Sequence, residues 1–296
     1  MPQPFRMPVT KTFPLEERLK ACYELGDYVD GVVTRGRGPQ QQAGSGHRML
    51  VAVWSRSQTT FGAVLALARE EDGDNAAMLA RPLFEGMVDA YWIAKHPQKA
   101  EELAVKNYRL LRLVTAERYN RTRRPGDPEM PRFPEDLADR NELERLFRPK
   151  AQSHWTTLDL RSRLQDVEDR IPQDYTNEAV GRFEEEHFLA NLLLHGSPMA
   201  INDRITEKPG AVTVNLGPVR QHLANGLRHA YWSYYRASLL VTGLWKGNHI
   251  LGLEDRYRAG WPRLQTVTDG ALEAAGRNGE CPCRSGLKAK KCHGGL

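Results

Sequence analysis

Cysteine is scarce in this chain: there are four among 296 residues, and three of them stand in the last sixteen positions. So little cysteine excludes a disulfide-rich secreted scaffold. Long hydrophobic runs are lacking too, since the most apolar stretch, ASLLVTGLW at 237–245, is about half the length of a membrane span. The N-terminus has no apolar segment like that of a signal peptide. These absences predict a cytoplasmic protein that does not bind a membrane.

Excess charge is almost absent from the first 276 residues. Residues 277–296 hold five Lys/Arg and one acidic residue, a net charge of +4, which leaves +1 of the total of +5 for the remainder. We therefore expect the tail, rather than a general basic surface, to attract any anionic partner. A Gly-rich loop followed by Lys-Ser/Thr is also missing, which argues against a P-loop ATPase.

Apolar residues recur at helical spacing through most of the chain, which predicts an all-α, multi-helix bundle. The predicted helices cover residues 13–33, 48–68, 74–96, 99–123, 135–147, 158–170, 177–194 and 219–245. Residues 205–218, in which Val212 and Val214 alternate with polar residues, are predicted to form a loop or a small hairpin. The expected domains are a helical bundle over 1–255, a linker over 256–276 and a small C-terminal knuckle over 277–296.

The tail CPCRSGLKAKKCH places Cys281 and Cys283 around a proline and brings Cys292 and His293 as an adjacent pair. Three thiolates and one imidazole are a ligand set that Zn²⁺ prefers in closed, structural sites. Gly286 can adopt the positive φ that turns the chain back between the pairs. A bridge between Cys281 and Cys283 is the alternative, but its ring would be small and strained. The spacing therefore predicts a structural zinc site, whose metal would provide most of the knuckle's folding energy.

The same segment resembles the SEC-C motif, the zinc tail of the SecA translocase ATPase that is also appended to many bacterial proteins. The matching residues are Arg277, Asn278, Cys281, Pro282, Cys283, Ser285, Gly286, Lys288, Lys291, Cys292, His293 and Gly294. Arg284 and Ala289 depart from the glycine and the aromatic residue usual in that motif. The resemblance implies a zinc-dependent docking module for a protein, a ribosome or nucleic acid. It does not imply translocation.

A first polar stripe lies on the predicted helix 74–96, where Arg81, Glu85 and Asp89 are spaced by four residues and share one face. Apolar residues surround this stripe and also cover the opposite face of the helix. Three interpretations stay open: a solvated face, a buried structural ion pair, or a functional site. Pro82 lies inside the pattern and predicts a kink or a helix start.

A second stripe lies on helix 177–194, where His187, Asn191 and His195 share a face. A histidine at the boundary of the core, or one that caps the helix end, explains them without a function. Acid–base chemistry is the alternative. A second metal site formed by Glu85, His187 and His195 is a further hypothesis.

The segments RPLFEGMVDAYWI and ANLLLHGSP together resemble a helical bacterial family of uncharacterised function, over roughly residues 50–245. Its members share an Arg-x-x-x-Glu helix and a later helix-ending histidine, and some carry the SEC-C tail. The resemblance supports the architecture and implies no activity.

Arg182 and His187, with four residues between them, also resemble the catalytic pair of HEPN ribonucleases. In such a metal-independent enzyme the histidine would act as base and the arginine would stabilise the phosphorane charge. Phe183 departs from the polar residue usual after that arginine. The main hypothesis is thus a helical body of unassigned activity with a docking zinc tail, and the alternative is a HEPN-like ribonuclease. The candidate catalytic residues are Arg81, Glu85, Arg182, His187 and His195.

Overall fold

The structure is a computed structural model of the whole chain. It describes residues 10–35, 44–147, 154–171, 180–195, 204–208, 211–215, 217–220, 222–244, 249–283 and 285–295. Within these ranges the fold is mainly α-helical, which confirms the predicted all-α class. The helices are α1 Leu15–Arg35, α2 Ser45–Arg69, α3 Gly73–Lys95, α4 Pro97–Thr122, α5 Pro134–Ala138, α6 Arg140–Phe147, α7 Leu160–Val167, α8 Val180–Leu194, α9 Leu223–Thr242, α10 His249–Leu264 and α11 Asp269–Ala275.

The helix boundaries follow signals that are local in the sequence. Asp72 precedes α3 and its carboxylate accepts a hydrogen bond from the Asn75 amide, so it satisfies one of the free N–H groups of the first turn. Pro97 opens α4, where its missing N–H costs nothing. The predicted helix 135–147 is two helices in the structure, α5 and α6. Asp139 lies between them and caps the C-terminus of α5.

Helix α3 is the central element of the body. Its apolar residues are buried on both sides, because α2 and α9 both pack against it. Phe84, Met87 and Trp92 have no exposed surface. The helix passes through Pro82 and begins at Gly73, so the expected helix start at the proline is wrong. The aromatic residues of α9 lie in the same core and serve packing: Tyr231, Trp232, Tyr234 and Tyr235.

Two small antiparallel ribbons complete the described fold. Strand β1 (Thr10–Thr12) pairs with β4 (Thr266–Thr268), so that Thr10 lies opposite Thr268. Strands β2 (Ile205–Lys208) and β3 (Ala211–Val214) form the predicted hairpin, with Ile205 opposite Val214. The β1–β4 ribbon joins an N-terminal segment to the segment that precedes the cysteine-rich tail.

The segment 256–276, predicted as a linker, contains ordered structure. Helix α10 continues to Leu264 and buries Tyr257 and Trp261 in the main core. Strand β4 and α11 follow directly, and Gly276 ends α11 with a φ of 68°. Residues 36–43 and Arg284 lie outside the described residues. No helix in the described part of the chain has the length and apolar character needed to cross a membrane.

The close packing of α9 on α3 depends on Gly226. A Cβ atom at this position would lie 2.9 Å from the backbone N and Cα of Ala77, too close for either helix to stay where it is. We expect Gly226→Ala to lower the free energy of unfolding by about 1–3 kcal/mol, the usual cost of overpacking. Urea unfolding followed by circular dichroism measures the change.

Gly62→Ala is the matched control, because Gly62 lies inside α2 and has nothing within 4 Å of its Cβ position. Alanine is the better helix former, so this variant should gain roughly 0.5–1 kcal/mol. Equal effects of both substitutions would contradict the packing described for α9 on α3.

Candidate functional site

The C-terminal knuckle owes its shape to a few backbone hydrogen bonds. The Cys281 amide donates to the Leu287 carbonyl over 2.8 Å, and the Ala289 amide donates to the Gly279 carbonyl over 2.8 Å. Gly286 has a φ of 73°, the left-handed conformation that the sequence predicted for it. Two short 3₁₀ turns, Ala289–Lys291 and His293–Gly295, follow. The reversal brings the first cysteine pair against Cys292 and His293.

The four predicted metal ligands meet at one buried point. One ligand atom from each of Cys281, Cys283, Cys292 and His293 lies within 4.8 Å of the other three. The Cys283 and Cys292 sulfurs are 3.5 Å apart, and the His293 Nδ1 lies 3.3 Å from the Cys292 sulfur and 3.5 Å from the Cys281 sulfur. A tetrahedron with metal–sulfur bonds of ~2.3 Å has edges of about 3.8 Å. The cluster thus has the dimensions of a tetrahedral site and can hold a metal ion.

His293 is oriented for ligation by its second ring nitrogen. Nε2 lies 3.1 Å from the carbonyl oxygen of Gln265 and donates its proton there, which leaves the Nδ1 lone pair facing the sulfurs. The Phe13 ring packs edge-on against the imidazole, with 4.9 Å between the ring centres. Both groups fix the plane of the ring. Neither was among the predicted site residues, because each lies far from the tail in sequence.

The Cys283 and Cys292 thiols are hydrogen-bonded to each other, and this bond raises the pKa of Cys283. The hydrogen bond from the Cys283 thiol, helped by His293, lowers the pKa of the Cys292 thiol despite its burial. Metal ions bind thiolates, so a thiol that loses its proton readily favours ligation. The cysteine side chains pack with Val267, and Phe13 and Leu272 cover this small cluster. The knuckle is therefore seated on the β1–β4 ribbon and α11.

The two polar stripes of the body meet between α3 and α8. Arg81 Nε lies 3.0 Å from Glu85 Oε1, and His187 Nε2 lies 3.0 Å from the same oxygen. Arg81 Nη1 donates to the Asn191 side-chain oxygen over 2.7 Å. The Arg81–Glu85 pair thus joins α3 to two residues of α8, Asn191 through Arg81 and His187 through Glu85. We call this group, Arg81, Glu85, His187 and Asn191, the α3–α8 polar cluster.

Protonation in this cluster is constrained by His187 Nε2, which lies 3.2 Å from Arg81 Nε as well as 3.0 Å from Glu85. A ring nitrogen cannot both donate to the carboxylate and accept from the guanidinium. An unprotonated Nε2 would place two acceptors 3.0 Å apart, so His187 Nε2 carries the proton and donates to Glu85 Oε1, as Arg81 Nε does. Partial burial alone would raise the pKa of Glu85, but the His187 hydrogen bond and the Arg81 charge outweigh it and lower this pKa to about 2.

The other candidate residues lie apart from this cluster or outside its description. His195 is exposed at the end of α8, where its amide donates to the Asn191 carbonyl. Arg182 belongs to α8, but its side chain lies outside the described part of the structure. Asp89, on the first stripe, instead pairs with Arg163 and accepts a 3.2 Å hydrogen bond from Trp155 Nε1. The structure thus brings together Arg81, Glu85 and His187.

A second metal site finds no support in the described residues. The only group there of three or more His, Cys, Asp or Glu ligands that converge on one point is the C-terminal cluster. The hypothesis that Glu85, His187 and His195 bind a metal is therefore wrong for the structure described. His187 instead uses its Nε2 proton to hold the Glu85 carboxylate.

The fold and the knuckle together define an all-α protein with a Cys/His cluster that can hold a metal ion. Residues 47–211 match a family of unknown function, DUF5677. The match covers more than half of the chain, and the chain belongs to this family. It includes α3 and α8, and hence the polar cluster, but not the C-terminal knuckle. No curated protein and no solved structure matches the chain.

The charge of Glu85 should stabilise the body in a pH-dependent way. Its folded pKa of about 2 lies below the ordinary value of 4.5, so its contribution is fully present above pH 4.5 and is lost as the pH falls toward 2. At pH 7 we expect Glu85→Gln to cost about 1–2 kcal/mol, a figure reduced for the partial exposure of the carboxylate. Urea unfolding at several pH values between 7 and 3 measures it.

Glu102→Gln on α4 is the matched control, because Glu102 forms an exposed i,i+4 pair with Lys106. Exposed pairs contribute roughly 0.3–0.5 kcal/mol, so this variant should change little. A deficit for Glu85→Gln that stays constant down to pH 3 would show that the Glu85 charge is not its cause.

Proposed function

We propose that the C-terminal knuckle binds one structural Zn²⁺ ion and serves as a docking module of the SEC-C type for the helical body. The observation that carries this proposal is the convergence of Cys281, Cys283, Cys292 and His293 at one buried point. Soft sulfur ligands with one imidazole favour Zn²⁺ over hard cations such as Mg²⁺ and Ca²⁺. Catalytic zinc sites keep an open position, whereas four protein ligands complete this one.

The outer surface of the knuckle supports docking to an anionic partner. Arg277, Lys288, Lys290 and Lys291 are all exposed, while the ligands and Ala289 beneath them are buried. Leu287, between the ligand pairs, exposes 48% of its surface. A rigid knuckle would hold these cations at fixed spacing, which favours an acidic protein surface or the phosphates of ribosomal or other nucleic acid.

The proposal does not extend to RNA cleavage. A HEPN-like mechanism needs the Arg182 side chain beside His187, and that side chain lies outside the described residues. His187 is hydrogen-bonded to Glu85, which could orient a base, but orientation alone does not favour a ribonuclease over a structural pair. The activity of the helical body therefore stays unassigned in this proposal.

Metal content tests the first half of the proposal. Purified full-length protein should carry about one zinc ion per chain, measured by plasma mass spectrometry, and should lose thermal stability when a strong chelator removes it. Cys283→Ala should retain less than about a tenth of the zinc, since three ligands rarely suffice for a structural site. Cys22→Ala is the matched control: it also removes one buried cysteine, but from the helical core.

The control variant should keep its zinc. The zinc assignment would be overturned if the purified full-length protein carried no metal and its three knuckle cysteines, Cys281, Cys283 and Cys292, reacted freely with an alkylating reagent under native conditions.

Charge reversal on the knuckle tests docking. In co-sedimentation with purified ribosomes and in binding to poly-glutamate, Lys288→Glu/Lys290→Glu/Lys291→Glu should bind at least tenfold more weakly, because three cations face the partner. Zinc content should be unchanged, since none of the three is a ligand. If the knuckle variant loses binding only to ribosomes, the partner is a nucleic acid. If it loses binding to poly-glutamate, the partner is an acidic protein.

A second triple variant with the same change in net charge is the control. Lys20, Arg118 and Arg121 are exposed on the helical body, and their reversal to Glu should leave both interactions within twofold. Equal losses in the two triple variants, or none in the knuckle variant, would contradict docking through the knuckle.

A further inference from the structure

A pocket of about 510 Å³ opens beside the α3–α8 polar cluster. This volume lies within the usual range of small-molecule sites, roughly 300–1,000 Å³. Its apolar walls come from α2, α3 and α8: Leu67, Met78, Leu79, Pro82 and Leu194. Asn75, whose amide donates to Asp72, lines the pocket as well, and Arg81 and Glu85 supply the ionic groups of this mainly apolar surface. A few polar groups in an apolar pocket are what fixes the orientation of a bound molecule.

The ion pair keeps hydrogen-bonding capacity that the protein does not use. Arg81 bonds through Nε and Nη1, which leaves the Nη2 donors without a partner among the described residues. Glu85 accepts both of its bonds on Oε1, so Oε2 has no partner there either. Both side chains line the pocket, so a ligand that reaches them can pair with a donor and an acceptor.

The surroundings of the pair hold it in place. His187 fixes the carboxylate and Asn191 fixes the guanidinium, both from α8. Groups that are held before binding lose little conformational entropy when a ligand arrives. The arrangement suits recognition better than a solvated ion pair would.

Charge decides which ligand chemistry fits. Arg81 and Glu85 cancel each other, so a fully charged ligand would lose hydration without meeting a net opposite charge. A neutral group with an acceptor beside a donor, as in a carboxamide or the edge of a nucleobase, satisfies both free positions at once. Its apolar or aromatic remainder can cover the leucine, methionine and proline walls.

We propose that this pocket binds a neutral small molecule that has an apolar, ring-like body and an amide-type donor–acceptor edge, with that edge paired to Arg81 and Glu85. The proposal concerns the helical body alone. It is independent of zinc binding and of docking by the knuckle.

Three probes of one shape and different charge test the proposal on the full-length protein. They are 2-naphthamide, with a donor and an acceptor; 2-naphthoate, an anion with acceptors only; and 2-naphthamidine, a cation with donors only. Titration calorimetry or saturation-transfer NMR should show 2-naphthamide binding at least fivefold more tightly than either ion. Equal or tighter binding of an ion, or no binding of 2-naphthamide at millimolar concentration, would overturn the proposal.

Two variants locate the site. Leu79→Trp fills the pocket and should abolish 2-naphthamide binding, whereas Leu111→Trp, on the exposed face of α4, should leave it unchanged. Glu85→Gln replaces an acceptor by a group that can also donate and gives the site a net positive charge, so the preference should shift toward 2-naphthoate. Retained amide preference in Glu85→Gln, in a variant with normal circular dichroism, would refute the assigned pairing.

Discussion

The packing of α3 between α2 and α9 is the constraint on which the rest of the body depends. A helix that buries apolar residues on two sides has little room for charge, and Arg81 and Glu85 lie at the edge of that buried surface. Taking ions out of water is costly unless they are paired and hydrogen-bonded. Helix α8 supplies His187 and Asn191 as the remaining partners. The polar cluster is thus a consequence of where α8 crosses α3.

The C-terminal knuckle depends on other interactions for its stability, because it is too small to be held by apolar burial alone. Its ordered shape comes from the convergence of four ligand groups and from contacts with the β1–β4 ribbon. A neighbouring surface supports the knuckle by fixing the imidazole through Gln265 and Phe13, and a metal ion held by the four ligands would fix the distances between the sulfurs. The body and the knuckle are stabilised by different kinds of interaction, and they meet at β4.

Features set by local sequence were predictable, and features set by tertiary contact were not. Helix periodicity and the Cys281–His293 spacing gave the fold class and the four converging ligands, because both depend on neighbours along the chain. The contact between Glu85 and His187 was not predicted, since two polar stripes on separate helices do not reveal how those helices cross. Residues 257–264 were predicted as part of a linker because Gly260 and Pro262 disfavour a helix. They are helical in the structure, where the burial of Trp261 outweighs those local preferences.

The β1–β4 ribbon has a consequence for the order of folding. Thr10 pairs with Thr268, so this contact closes a loop that contains the whole helical body. Loop-closure entropy penalises such a pairing in the unfolded chain, and only a folded bundle brings the two strands near each other. Gln265 and Phe13, which orient His293, flank these strands. We therefore expect the imidazole to reach its final orientation only after the bundle has assembled.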